Sequence, residues 1–314
     1  MKKHIVFVLT AIGIVVVSCT KEIKFKGDYA KDKLVVNSLL AADSTLIANV
    51  SHSVFFMHDY RYKETYVNDA YLEIFVNGNS IGTMTYQSHN ASNAIYTLPY
   101  RLKHGDKLEL KAHHKNYDNV SAITEIPYSS NIISVDTAYT SNKYNRKTLN
   151  ISIKFQDDPN ISNYYEIKAN LISWTKSNNK NEISRQVIPL WLYSKDIVFN
   201  NNSGTDPIFE IDLESQSLVF EDYIINGKEY TIKVISENAY RYNRNVDGYK
   251  DTLDIYLNSV SKDYYLFQKT YMAHTNNIDF IGIFNEPVQI YNNVVGGIGV
   301  VAGIAINKKV IPLN

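Results

Sequence analysis

The sequence predicts a mainly β protein of two β-sandwich-like domains, the first immunoglobulin- or transthyretin-like and the second carrying one main α-helix. Three observations point there. Tyrosine (25 residues) and asparagine (34 residues) are both abundant in a chain of 314, and Tyr favours strands while Asn favours turns. Short runs of alternating apolar and polar residues recur between turn signals at the spacing of a sandwich. Only one segment breaks that rhythm with helical spacing.

The chain opens with Lys2 and Lys3, an apolar run from Ile5 to Val17, and then Ser18-Cys19. A short basic stretch, an apolar core and small residues before a cut is the layout of a secretory signal. A cysteine directly behind the cut makes residues 1–18 a lipoprotein signal peptide, with Cys19 as the lipidated residue. The run is only about 13 residues, and a bilayer-spanning helix needs about 20. Residues 19–32 (CTKEIKFKGDYAKD) are polar and aperiodic. They read as a tether that reaches about 40 Å when extended.

The first domain is expected over residues 33–127. Leu34-Val35-Val36 opens it, and Leu46, Ala48 and Val50 alternate with polar neighbours. Ala70 to Val76 runs into Asn77-Gly78, the strongest hairpin signal in the chain. Gly105-Asp106 turns into the alternating strand Lys107 to Ala112, and Val120 to Ile126 ends at Pro127. Residues 127–131 (PYSSN) read as the joint to a second domain over residues 131–314.

That second block continues with strands at Ile132 to Tyr139, Leu149 to Phe155, Tyr164 to Trp174, Val187 to Tyr193 and Tyr230 to Ile235. From Ser261, a suitable N-cap, Tyr264, Tyr265, Gln268, Tyr271 and Met272 fall at helical spacing, so a helix is expected over residues 261–274. The Gly-rich run from Val294 to Ile306 reads as a buried strand. Gly297 to Ala302 matches G-x-G-x-x-A. The dinucleotide reading needs a following helix and a distant acidic residue, and only 12 residues remain. Close backbone packing accounts for the glycines better.

Lys+Arg and Asp+Glu both number 32, and losing Lys2 and Lys3 leaves the mature chain near −2. No basic excess exists to hold nucleic acid. With Cys19, the one cysteine, acylated, no thiol remains for a disulfide, a cysteine metal site or a cysteine nucleophile. His113 and His114 are adjacent and would face opposite sides of a strand, which is wrong for chelating one ion. Asp157 and Asp158 could offer oxygens to calcium, but a turn before a strand explains them. No nucleophile or acid–base constellation appears, so no enzyme activity, cofactor or metal is expected.

Two stretches suit a binding surface, because both alternate Tyr with Arg in polar surroundings. One offers Tyr60, Arg61, Tyr62 and Tyr66; the other offers Tyr240, Arg241, Tyr242, Arg244 and Tyr249. Packing of these rings on the sheets is the competing explanation. The triplets at Asp43-Ser44-Thr45, Asp136-Thr137-Ala138 and Asp251-Thr252-Leu253 resemble the O-glycan acceptor of exported Bacteroidota proteins. Ser44, Thr137 and Thr252 would then be the modified residues, and local Asx turns explain the triplets equally well.

A set of motifs carries a wider resemblance. It comprises the Cys19 signal, Leu34 to Leu40 (LVVNSLL), Asp157 to Asn160 with Asn163-Tyr164-Tyr165, Leu257 to Tyr265, and Asn285 to Gly299. In order and spacing the chain resembles a Bacteroidota outer-membrane lipoprotein family of undefined function, the domain of unknown function 4249. Val300-Val301 stands where relatives often carry an aromatic. Members are commonly encoded beside TonB-dependent transporters, and the family assigns no catalytic residue. The resemblance implies a non-enzymatic outer-membrane accessory or binding lipoprotein that works with such a receptor in nutrient uptake. A structural or adhesive surface lipoprotein is the alternative. Lys21-Glu22 shortly behind the cysteine resembles the charged surface-export signal of that lineage, which implies exposure on the cell surface rather than on the periplasmic side.

Overall fold

The structure is a computed structural model that describes residues 31–55, 64–141, 145, 147–176, 183–200, 215–239, 250–279 and 288–313. Strands β1 (Leu34–Ala41), β2 (Leu46–His52), β3 (Tyr71–Val76), β4 (Asn79–Thr83), β5 (Thr85–His89) and β6 (Ala94–Leu98) come first. Strands β7 (Lys107–His114), β8 (Tyr117–Glu125), β9 (Asn131–Ser141), β10 (Lys147–Gln156), β11 (Tyr164–Lys176) and β12 (Ile183–Pro189) follow. The short helix α1 (Ile197–Asn200) precedes β13 (Leu218–Glu221), β14 (Glu229–Ser236) and β15 (Thr252–Val260). The main helix α2 (Lys262–Asp279), β16 (Val301–Ala305) and β17 (Lys308–Pro312) close the chain. The fold is mainly β with one main helix, as its sequence indicates.

These strands make three sheets. A ten-stranded sheet runs β12-β11-β15-β16-β1-β2-β6-β5, with β13 added on β11 and β17 on β15. A four-stranded sheet (β4-β3-β7-β8) and a three-stranded sheet (β14-β10-β9) pack on it. Period-two alternation fixes which side chains meet. Leu34, Val36 and Leu40 of β1 join Leu46, Ala48 and Val50 of β2 against Leu72 and Ile74 of β3 and Leu108 and Leu110 of β7. Likewise Tyr165, Ile167, Ala169 and Leu171 of β11 pack with Leu253, Ile255 and Leu257 of β15 against Ile151, Ile153 and Phe155 of β10.

The Gly-rich tail completes the first of these cores. Strand β16 lies parallel to β1 and antiparallel to β15, so it joins strands from both halves of the chain. Val294 and Val301 belong to the same apolar cluster as Leu34 and Leu72. The joint at 127–131 is pinned here too: the Ser130 hydroxyl donates to the Leu257 carbonyl at 2.8 Å, and the Asn307 amide donates to the Ser130 carbonyl at 2.6 Å.

The glycines of the tail permit contacts that a side chain would block. A Cβ on Gly299, whose φ is +131°, would lie 2.1 Å from the Val36 carbonyl oxygen; one on Gly303 would lie 2.1 Å from the Glu125 carbonyl oxygen. Close backbone packing is thus their role. The Asn77-Gly78 hairpin also forms as its sequence requires, both residues taking positive φ (52° and 82°) between β3 and β4.

Helix α2 starts where the spacing predicts and runs past the expected end at 274, to Asp279. Its N-cap is Ser261, whose hydroxyl oxygen accepts from the Tyr264 amide at 3.3 Å and from the Gly303 amide at 3.1 Å. One cap therefore serves both the helix and β16. Among the described residues no helix is long and apolar enough to cross a membrane.

Candidate functional site

The side of β11 that faces away from the three-stranded sheet carries Glu166, which is fully buried. Its cross-strand neighbour on β15 is Asn258, whose amide donates to the carboxylate at 2.9 Å. The Ser217 hydroxyl donates at 2.6 Å, Lys168 pairs with it at 2.8 Å, and Tyr264 of α2 donates from above. Burial, then the charge of Glu166, push the Tyr264 phenol far above its ordinary pKa. A buried carboxylate persists only when paired and hydrogen-bonded, and this one is. The cluster ties helix to sheet, and every polar atom in it is occupied.

Beside that tie lies a groove of about 500 Å³. One wall is α2, with Phe267 and Tyr271 one turn apart and their rings stacked at 5.8 Å and 17°. The opposite wall is the outer face of β1 and β2, with Val35, Asn37, Leu39 and Asn49. Ile290 to Asn292 and Ile298 to Val300 close it. Among the described residues that line it, none is Asp, Glu, Lys, Arg or His. The Tyr291 hydroxyl donates to Asp263 at 2.8 Å and its amide to the Thr270 hydroxyl at 2.9 Å, which straps this segment to the helix. Burial, helped by the Asp263 carboxylate, pushes the Tyr291 phenol up to about 12. An apolar, aromatic concavity with a few polar groups is the usual form of a small-molecule site.

A second cleft, of about 320 Å³, lies at the Asp157–Asn163 turn. Its acidic groups are engaged in the turn. Asp157 accepts from the Tyr165 hydroxyl at 2.6 Å and the Gly227 amide at 2.7 Å, and Asp158 accepts from the Asn160 amide at 2.9 Å. Asp222 accepts from the Asn163 amide at 2.6 Å, and burial raises its pKa. Among the described residues no group of three His, Cys, Asp or Glu side chains is placed to hold a metal ion.

The histidines pack as the strand period predicts. His114 is buried and His113 exposed. His114 Nδ1 accepts from the Asn116 amide at 3.2 Å, so Nε2 carries the proton that is donated to Asp69 at 2.9 Å. Nδ1 holds the β7–β8 turn, and Nε2 ties that turn to the segment before β3.

Of the Tyr–Arg candidates, Tyr66 alone lies among the described residues; Tyr60, Arg61, Tyr62, Tyr240, Arg241, Tyr242, Arg244 and Tyr249 lie outside them, as does Cys19. Tyr66 is half-buried and stacked on His89 at 4.0 Å. Ser44 is exposed in the β1–β2 turn beside Asp43, which has φ +58°. Thr137 and Thr252 are half-buried strand residues of β9 and β15. The groove and Glu166 escaped sequence reading, because Asn37, Asn49 and Glu166 occupy strand positions that read as solvent-facing. Only α2, folded over them, makes a site.

The profile of a protein family described as Domain of unknown function (DUF4249) matches residues 20–310. No curated protein matches the chain. Among solved structures, a glycosyl hydrolase family 2 member from Bacteroides cellulosilyticus DSM 14838 aligns over 73% of this chain and 27% of its own, at 8% identity and a TM-score of 0.18. The chain thus spans roughly a quarter of that enzyme, and a likeness at that score bears on neither fold nor activity.

Proposed function

The chain belongs to the DUF4249 family, and from that premise we propose that it is a lipid-anchored, non-enzymatic accessory or binding protein of the outer membrane. In this reading it works beside a TonB-dependent transporter in nutrient uptake. The observation that carries the proposal is the order of segments at the start of the chain. A basic and apolar run ends at Cys19, a polar stretch follows, and the β structure opens at Leu34. Acylation of the cysteine and its new N-terminus would supply more than one lipid chain, which stable anchoring requires. The groove supports a binding role, since it is an apolar, aromatic concavity of the size and form that small-molecule sites take.

Purification of the tagged chain in mild detergent tests the association. The proposal expects a stoichiometric outer-membrane barrel in the eluate, retained after a high-salt wash. Recovery of the chain alone would favour a structural or adhesive surface lipoprotein instead.

A further inference from the structure

We infer that the groove beside α2 binds a small, uncharged amphipathic molecule with an apolar body and a hydrogen-bond-accepting head. The inference rests on the reading of this chain as a binding protein and names the class of its ligand.

Size comes first. A groove of about 500 Å³ falls within the roughly 300–1,000 Å³ typical of small-molecule sites. Its apolar walls are open to contact: Leu39 is 45% exposed, Ile298 41% and Tyr271 46%. The stacked pair Phe267 and Tyr271 forms one rail along α2, facing the aliphatic side chains of β1. An apolar body between these walls leaves water on both sides of the contact.

Charge then narrows the class. Among the described residues no ionisable acid or base lines the groove apart from tyrosine phenols, so a charged ligand would lose hydration without gaining a counter-charge from them. The polar groups left to it are the Tyr271 hydroxyl and side-chain amides. Asn37 and Asn49 face each other across β1 and β2 as register partners. The Asn37 side-chain oxygen is taken by the Val300 amide at 3.0 Å. The Asn37 amide nitrogen and the whole Asn49 amide have no hydrogen-bond partner among the described residues. Two adjacent sets of N–H donors at the edge of an apolar trough suit a hydroxyl, ether or carbonyl head. The frame is already built by the β1–β16 pairing, the Ser261 cap and the Glu166–Tyr264 tie, so little ordering opposes binding.

The mature chain with Cys19→Ala, in detergent-free buffer, makes the test independent of the anchor. The probe is n-octyl-β-D-glucoside below its micelle concentration, measured by titration calorimetry. Octyl sulfate and octyltrimethylammonium serve as charged counterparts. We expect saturable binding of one glucoside per chain, with the charged amphiphiles weaker by about tenfold or more. Leu39→Asp places a charge in the trough, Tyr271→Ala removes half the rail and Asn49→Asp exchanges donors for acceptors. Each should weaken the glucoside by about tenfold while leaving the melting curve in place. No saturable binding, equal binding of all three amphiphiles, or undiminished binding by Leu39→Asp and Tyr271→Ala would overturn the inference. So would a concentration-dependent dimer that these substitutions dissolve, because the groove would then be covered by a second copy. Any of these results leaves the membrane association to be judged on its own experiments.

Discussion

Tyr264 of helix α2 donates its phenolic hydrogen bond to the carboxylate of Glu166, a side chain with no solvent exposure. The two residues lie 98 positions apart, and their contact fixes the helix on the outer face of the large sheet. Tyr264→Phe removes one donor and leaves Ser217, Asn258 and Lys168 in place, so a loss of about 1–3 kcal/mol is expected. Glu166→Ala strands several buried donors at once and should cost more, about 3–5 kcal/mol. Thermal melts of both variants check the order. A milder effect for Glu166→Ala would show that the network does not hold the helix.

The close approach of β16 to β8 gives a second expectation. Gly303→Ala would press a methyl against the Glu125 backbone at 2.1 Å, where no flexible side chain can yield. Forced shifts of this kind cost about 1–3 kcal/mol or more. Gly78→Ala meets no atom within 4 Å but retains the positive φ of its turn, so it should cost less, about 1 kcal/mol. Urea melts of the two variants distinguish them.

Asp69 sets a pH dependence. Burial pushes its carboxyl upward, but hydrogen bonds from His114 and Lys115 outweigh this and hold it below the ordinary value of 3.8. Because the folded pKa is the lower one, its contribution is complete above the unfolded value and disappears as the pH falls through the folded value. Asp69→Asn should therefore narrow its stability gap to the unsubstituted chain as the pH drops below about 4. A gap that stays constant from pH 7 to pH 2.5 would contradict the assignment.

How much of this was legible depended on how local each signal is. The Asn77-Gly78 turn, the Ser261 cap and the alternation of Leu108 and Leu110 are written within a few residues, and all three appear where the sequence puts them. The parallel pairing of β16 with β1 is not, because it joins residues some 263 positions apart and leaves no local pattern. The same holds for Glu166, which alternates with Tyr165 and Ile167 as any solvent-facing strand residue would. Its burial comes from α2, and nothing near residue 166 announces that cover. The groove is a product of the same packing. A sequence reading looks for sites among Tyr and Arg in loops, whereas this one is made of Asn on strands and Phe and Tyr on a helix.

The most direct test of the central claim is metabolic labelling with an alkyne-bearing palmitate, followed by membrane fractionation of the unsubstituted chain and of Cys19→Ala. The account expects the unsubstituted chain to take the label, to run at the size of the cleaved form and to stay with the outer membrane through a salt wash. It expects Cys19→Ala to be unlabelled and either uncleaved or soluble. An unlabelled chain, or a Cys19→Ala variant retained on the membrane as firmly as the original, would contradict it.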